Sequence, residues 1–276
     1  MLIAQITDLH VRPRGRPANR VVETNMLTER ALRAIAGLQP RPDVLLITGD
    51  LTDCGLVEEY EVLARLLGRC PVPVLMVPGN HDRRDNLRRV FAHLPGMRED
   101  REFIQCVVED YPVRLIGLDT VVAGAGHGAL CDRRLDFLQR ALADGAGRPA
   151  VIFMHHPPFD CGLRHMDDIR LLEGAERFVA ILRAHPEIER VLCGHHHRPI
   201  QVRLGGTIVS IAPSVAHQVE FDLDPEHRGA FNFEPPAYQL HLYTPQWGVV
   251  SHTVCVERYP GPFPFLSEPE YPGKTP

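Results

Sequence analysis

Five short segments of this 276-residue chain gather Asp, His and Asn at spacings that suit metal ligation. They read Asp8-Leu9-His10, Gly49-Asp50, Gly79-Asn80-His81-Asp82, His155-His156-Pro157 and Gly194-His195-His196-His197. Oxygen and imidazole donors without thiolate suit Mn, Fe, Co or Zn and disfavour a Cys-rich structural zinc site. In Asp8-x-His10 and His195-x-His197, an extended backbone sends residues i and i+2 to one side. Leu9 and His196 then face away. Seven candidate ligands are too many for one ion with open positions, and they fit two ions sharing a carboxylate. Asp50 is the natural bridge, because the preceding Gly49 allows close approach. Two ions about 3.5–4 Å apart are the usual clamp for hydrolysis at phosphorus. Two divalent ions set against Asp8 and Asp50 leave the site near about +2, which attracts an anionic phosphate. The chain as a whole carries a net charge of −5.

The elements that must position these residues are short apolar runs alternating with helical patterns. Strands are predicted at 2–7, 43–48, 73–77, 113–118, 150–154, 190–193, 207–212, 238–243 and 249–256. The early ones are continuously apolar, as in strands buried on both faces. Leu27, Ala31, Ala34, Ile35 and Leu38 share a helical face that Pro40 and Pro42 end. Leu56, Tyr60, Leu63 and Leu67 repeat the pattern, and Asp132 is the expected N-cap for Leu135, Leu138 and Leu142. A further helical stripe runs through Leu171, Leu172, Ala175, Phe178, Val179 and Leu182. The first two thirds therefore alternate β and α, the last third is strand-rich, and the fold class is layered α/β. Each of the five motifs directly follows a predicted strand, where open α/β sheets bind their ligands.

Composition excludes other classes. With 44% hydrophobic and 24% charged residues, the chain is neither disordered nor a small disulfide-stapled scaffold. Seven scattered cysteines without a CxxC suit a reduced, cytoplasmic protein, with a Cys54–Cys70 pair as the disfavoured alternative. The N-terminus carries no leader pattern, and no window approaches the roughly 18 apolar residues of a spanning helix. Residues 1–257 read as one domain and 258–276 as a proline-rich tail. The Phe pair in Pro262-Phe263-Pro264-Phe265 reads as a core-sealing flap or a subunit contact, and an exposed pair favours the contact, giving a dimer or larger homo-oligomer.

The ordered series D-x-H, G-D, G-N-H-D, H-H-P-P and G-H-x-H, spanning residues 8–197, resembles the calcineurin-like metallophosphoesterase superfamily. Gly79-Asn80-His81-Asp82, Phe153-Met154-His155-His156-Pro157-Pro158 and Val215-Ala216-His217-Gln218 look most like its cyclic-nucleotide phosphodiesterase and glycerophosphodiesterase branch. The resemblance implies a four-layer αββα sandwich of two mostly mixed sheets, with a binuclear metal site at the rim. It implies that Asp8, His10 and His197 hold one metal, that Asp50 bridges, and that Asn80, His156 and His195 hold the other. It implies attack by a metal-bound hydroxide, His81 directed at the phosphate, Asp82 orienting a histidine, and His217 lining the site. Small anionic phosphodiesters, glycerol esters or 3′,5′-cyclic nucleotides, are the implied substrates. Protein Ser/Thr phosphatases of the superfamily read G-D-x-x-D-R-G, and here Cys54 stands at the arginine. A monoester dianion needs more positive charge than a diester, so this departure favours diesters.

Other residues have plainer readings. His155 and His196 neighbour candidate ligands but face the other way, as hydrogen-bonded structural histidines. His165, beside Asp167 and Asp168, reads as solvated surface, with a substrate-facing role as the alternative, and Gly124–Gly128 as a flexible loop near the site. Arg83, Arg84, Arg88 and Arg89 form a basic helical face just after Asn80-His81, either a solvated surface or a grip for an anionic substrate tail. The negative net charge and the lack of a Lys/Arg stripe disfavour a nuclease, and the filled ligand positions disfavour a non-catalytic scaffold.

Overall fold

The computed structural model describes residues 1–263. Two sheets stack face to face. The first has the order β15-β14-β1-β2-β3. It comprises β1 (Leu2–Ile6), β2 (Val44–Thr48) and β3 (Val74–Val77), mutually parallel, with β14 (Ala237–Thr244) and β15 (Gly248–Cys255) antiparallel at one side. The second has the order β10-β11-β9-β7-β5-β4. It comprises β4 (Cys106–Val108), β5 (Arg114–Gly117), β7 (Ala150–Phe153), β9 (Ile188–Cys193), β10 (Ile200–Leu204) and β11 (Thr207–Ile211). Two small ladders complete the strands: β6 (Gly128–Ala129) with β8 (Leu171–Glu173), and β12 (Gln218–Val219) with β13 (Phe231–Asn232).

Strands buried on both faces explain the unbroken apolar runs. Ile3, Val44, Leu46, Val77, Leu115, Val151, Phe153 and Leu192 form the layer between the sheets. The opposite face of the first sheet packs against α1 (Thr24–Ala36), α2 (Val57–Leu67) and α3 (Arg84–Phe91) through Ile6, Leu45, Ile47, Ala31, Ile35, Leu63 and Leu87. The outer face of the second sheet packs against α4 (Asp132–Asp144) and α6 (Ala175–Ala184) through Ile152, Val191, Leu138, Leu142, Phe178 and Leu182. The short α5 spans Arg164–Asp167. Helices, sheet, sheet and helices make the expected four layers.

Three local expectations change. Leu171 and Leu172 belong to β8, because Leu171 is drawn into a ladder with Gly128 before the helix starts at Ala175. Asp132 is the first residue of α4 rather than its cap; Cys131 holds the cap position without a side-chain bond. Strands β4 and β10 were not predicted: β4 has three residues, and β10 alternates half-buried and exposed positions at a sheet edge. All seven cysteines are free, so Cys54 and Cys70 do not pair. The expected tail contact falls largely on residues 264–276, which lie outside the described residues; Phe263 is exposed. No helix among the described residues is long and apolar enough to cross a membrane.

Candidate metal centre

The carboxyl ends of β1, β2 and β3 lie side by side in one sheet, and those of β7 and β9 in the other. All five motifs therefore meet at one rim of the sandwich. Backbone hydrogen bonds lock the loops together: Asp8 N–H to Gly49 O (3.1 Å), His10 N–H to Asp50 O (3.0 Å) and Gly194 N–H to His155 O (3.0 Å). Asp8, His10, Asp50, His195 and His197 all adopt left-handed backbone conformations, with φ between +46° and +74°. Such conformations cost non-glycine residues roughly 1–3 kcal/mol each and cluster at functional sites. The convergence of Asp8 with His10, and of His195 with His197, thus comes from left-handed turns and not from the alternation of an extended strand. Leu9 does face away, into the core under α1 and α2.

Asp8, His10, Asp50 and His197, all buried, bring four ligand atoms within 4.8 Å of one another. His10 Nε2 and His197 Nε2 face each other at 3.3 Å. His197 Nδ1 donates to the His217 carbonyl (2.8 Å), so the neutral ring presents its Nε2 lone pair to the cluster. Asp8 Oδ1 lies 3.3 Å from that Nε2, and Asp50 Oδ2 lies 3.7 Å from His10 Nε2. Converging lone pairs and two carboxylates in a buried pocket fit a divalent cation and are repulsive without a positive charge among them. Burial would raise both carboxyl pKa values, but facing imidazoles outweigh it, lowering Asp8 and holding Asp50 well below the carboxylate range. Burial pulls His10 down; His197 is raised because Asp8 outweighs its burial.

A second group joins His155, His156 and His195. His195 Nε2 donates to the Ile169 carbonyl (3.0 Å), which leaves its Nδ1 as the electron-pair donor. His156 contacts Thr120 Oγ1 through Nδ1 (2.7 Å) and Gly126 O through Nε2 (3.1 Å). Burial and the neighbouring imidazoles keep both rings far below the usual histidine pKa, in the neutral form that ligates metals. His155 does not face away as expected. Its Nδ1 donates to Thr48 O (2.7 Å), and its Nε2 lies 3.1 Å from Asn80 Oδ1 and 3.5 Å from Asp50 Oδ1. Burial depresses His155, but Asp50 overrides it and lifts the pKa to about 9. His155 is thus hydrogen-bonded, as expected, but inside the cluster and not away from it; the signal in the sequence was its place beside His156 at the end of an apolar run. Asp50 sits between the two groups, reaching His10 with one oxygen and His155 with the other. His196 stays outside both, its Nδ1 3.4 Å from Cys161 Sγ.

Asp82 touches no histidine. It accepts from the backbone N–H groups of Gly79, Leu51 and Thr52, from Thr52 Oγ1, and from the Tyr60 hydroxyl. It therefore pins the Asp50 loop to the Asn80 loop. Burial and the nearby Asp50 raise its pKa to about 6, and five donors keep it ionised at neutral pH. His81 donates Nδ1–H to the Asp53 carbonyl (2.8 Å), directing Nε2 toward the site, 4.0 Å from Asp50 Oδ2. Asp50 raises its pKa. His217 packs against His197 and His10 with ring centroids at 4.8 and 5.3 Å, and its buried Nδ1 has no hydrogen-bond partner among the described residues. Burial and His197 push its pKa down to about 3. Arg12 reaches Cys54 Sγ (2.8 Å) and Glu59 (2.7 Å), so a cation lies close to Cys54 but is already paired.

A cleft of about 930 Å³ opens beside Asn80 and His81 and runs past Cys54, Arg83 and Arg101 to Gly124–Gly126. No Phe, Tyr or Trp among the described residues lines it.

The sequence pattern of the calcineurin-like phosphoesterases matches residues 1–199. A probable glycerophosphodiester phosphodiesterase from Arcobacter nitrofigilis is 35% identical over 97% of this chain and 98% of its own length. A glycerophosphodiester phosphodiesterase from Enterobacter lignolyticus is 30% identical over 95% and 94%. A probable cyclic nucleotide phosphodiesterase from Rhodopseudomonas palustris is 36% identical over 95% and 94%. A dimetal phosphatase from Danio rerio shares the fold, with a TM-score of 0.64 at 16% identity, covering 93% of this chain and 99% of the other. By sequence pattern, relatives and fold alike, the chain belongs to the calcineurin-like phosphoesterase family.

Proposed function

We propose that the protein is a divalent-metal-dependent phosphodiesterase that hydrolyses glycerophosphodiesters. Asp8, His10 and His197 would hold one cation, Asn80, His156 and His195 a second, and Asp50 would bridge them. Mn, Fe, Co and Zn all suit this donor set. When bound, the cations supply Lewis-acid charge for the phosphoryl oxygens and lower the pKa of water.

The protein's own groups then do three things. Asp8, His10, Asp50 and His197, held by the left-handed turns and the Asp82 network, keep their donor atoms converged without reorganisation. His81, oriented by the Asp53 carbonyl, gives its Nε2 proton to the departing alkoxide oxygen as the P–O bond breaks. Water adds to phosphorus, leaving a phosphate monoester and an alcohol. His217, neutral and beside His197, lines the position of the phosphoryl group.

The observation that carries the substrate class is the cleft beside Asn80 and His81. Charged and polar side chains dominate its lining, and no Phe, Tyr or Trp among the described residues offers a purine a stacking face there. The similarity to glycerophosphodiester phosphodiesterases supports the same reading. The test strips the protein with chelator, reloads it with Mn²⁺, and compares kcat/KM for glycerophosphoglycerol, whose two arms are uncharged, and 3′,5′-cyclic AMP. A preference of about a hundredfold for the glycerol ester is expected. The reverse preference overturns the substrate assignment, and failure to cleave either ester with metal bound overturns the enzyme reading.

A further inference from the structure

The cleft is far larger than a glycerol moiety. At about 930 Å³ it sits at the upper end of pockets that enclose a drug-sized ligand. Its charges are unevenly satisfied. Of its four arginines, Arg84 is neutralised by a two-point contact to Asp119 (2.6 and 2.7 Å). Arg88 is tied to the Met97 and Asp100 carbonyls. Glu102 is spent on Arg133 (2.6 Å). Arg83 and Arg101, by contrast, are exposed and have no acidic partner or side-chain hydrogen bond among the described residues. The aliphatic stem of Arg83 lies over Gly55, where an added Cβ would stand 2.5 Å from its Cγ, so the stem is seated while the guanidinium stays free. Asp85, the remaining exposed acid of the cleft, approaches only Arg88 among the described residues, at 3.9 Å.

We propose that Arg83 and Arg101 select substrates: the cleft takes phosphodiesters whose second ester arm ends in its own anionic group, a carboxylate or phosphate. This rests on the phosphodiesterase reading and specifies which diesters it favours. The diester phosphate goes to the metal centre, the arm runs past His81, and the distal anion meets the two guanidiniums. Arginine suits planar carboxylate and phosphate groups because its donors form a fixed fork. A distal trimethylammonium meets the same two cations and is repelled.

The test uses three esters with one leaving group: ethyl, 2-carboxyethyl and 2-(trimethylammonio)ethyl p-nitrophenyl phosphate, with Mn²⁺-loaded protein. The carboxyethyl ester should exceed the ethyl ester in kcat/KM by about tenfold, and the trimethylammonio ester should fall below it. In Arg83→Gln/Arg101→Gln both ratios should collapse toward one, and in Arg101→Glu the order should invert. Calorimetry should show the same about tenfold ratio in Kd between 2-carboxyethylphosphonate and ethylphosphonate, lost in the double variant. Equal values for the ethyl and carboxyethyl compounds, or discrimination that survives the double variant, overturns the proposal. Failure to cleave the ethyl ester would instead strike the phosphodiesterase reading.

Discussion

One methyl group placed at Gly79 should disable the metal centre while leaving the fold intact. Gly79 has no positive φ, so alanine can adopt its backbone conformation, and the whole effect is steric. A Cβ built there lies 2.2 Å from Asp50 Oδ1, 2.3 Å from the Asp50 amide nitrogen and 2.9 Å from Asp50 Cγ. Reaching van der Waals contact requires Asp50 or the Asn80 loop to retreat by about 1 Å. Neither is free to do so alone, because Asp50 Oδ1 accepts from His81 N–H (3.0 Å) and Gly79 N–H is held by Asp82 (2.9 Å). The overpacking itself costs about 1–3 kcal/mol, small enough for a core of this size to survive. A 1 Å displacement of reacting groups costs on the order of a hundredfold in rate. Gly79→Ala should therefore keep its circular dichroism spectrum, bind about one divalent ion fewer by elemental analysis, and lose about a hundredfold in kcat/KM for ethyl p-nitrophenyl phosphate. Gly37→Ala is the control: its Cβ meets nothing closer than 3.4 Å, and activity should not change. Wild-type metal content with kcat/KM within threefold for Gly79→Ala would refute the placing of Asp50 between two ions.

Two further perturbations probe different links. If His81 protonates the leaving oxygen, His81→Gln should lower kcat for glycerophosphoethanolamine by about 10²–10³-fold and that for a p-nitrophenyl ester much less, since nitrophenolate leaves without a proton; equal losses on both would remove the assignment. His241 is fully buried, with its Nε2 donating to Gln5 Oε1 (3.0 Å) and Ser251 Oγ 2.7 Å from its Nδ1. Burial, and then the charge of Arg190, lowers its pKa to about 3. The folded state thus keeps His241 neutral while the unfolded state takes up a proton below about pH 6.5, so its contribution is complete above that pH and is lost as the pH falls toward 3. At pH 5 the deficit is about 2 kcal/mol. Urea unfolding should show His241→Gln losing about that much less stability than wild type between pH 8 and pH 5; parallel losses would show that the proton goes elsewhere.

The chain order of strands and the position of the site were legible because both follow from local pattern. Residues 44–47 and 150–153 are unbroken apolar runs, too short for a helix and rich in branched or aromatic residues, which is the pattern of a strand buried on both faces. The polar clusters sit directly after such runs, so their meeting at one rim follows once the strands are parallel neighbours. What was not legible depends on contacts made across the sheets. Leu171 reads as helix by spacing, yet a ladder to Gly128, more than forty residues away, decides it. Leu115, Val151 and Leu192 advertise their burial, but nothing in a window of sequence says that they pack on Ile3, Val44 and Leu46.

The same distinction separates His155 from His156. Alternation along an extended strand sends neighbouring side chains to opposite faces, and that argument assigns one histidine to the site and one away from it. It fails because the backbone there is no longer strand: β7 ends at Phe153, and His155 and His156 lie in a bend beyond it. Both therefore enter the second cluster, while Asp8, His10, Asp50, His195 and His197 reach the rim through left-handed turns, which Asp and His tolerate better than most residues. These turns also bind the ligand pattern to the fold. A left-handed Asp8 needs Gly49 O for its amide, and the Gly49 position is closed to any side chain because the ring of His155 fills it, 2.3 Å from where a Cβ would stand. The motif glycines and the motif ligands thus constrain one another across strands that are distant in the chain. Five motifs that are weak one by one are therefore informative in series.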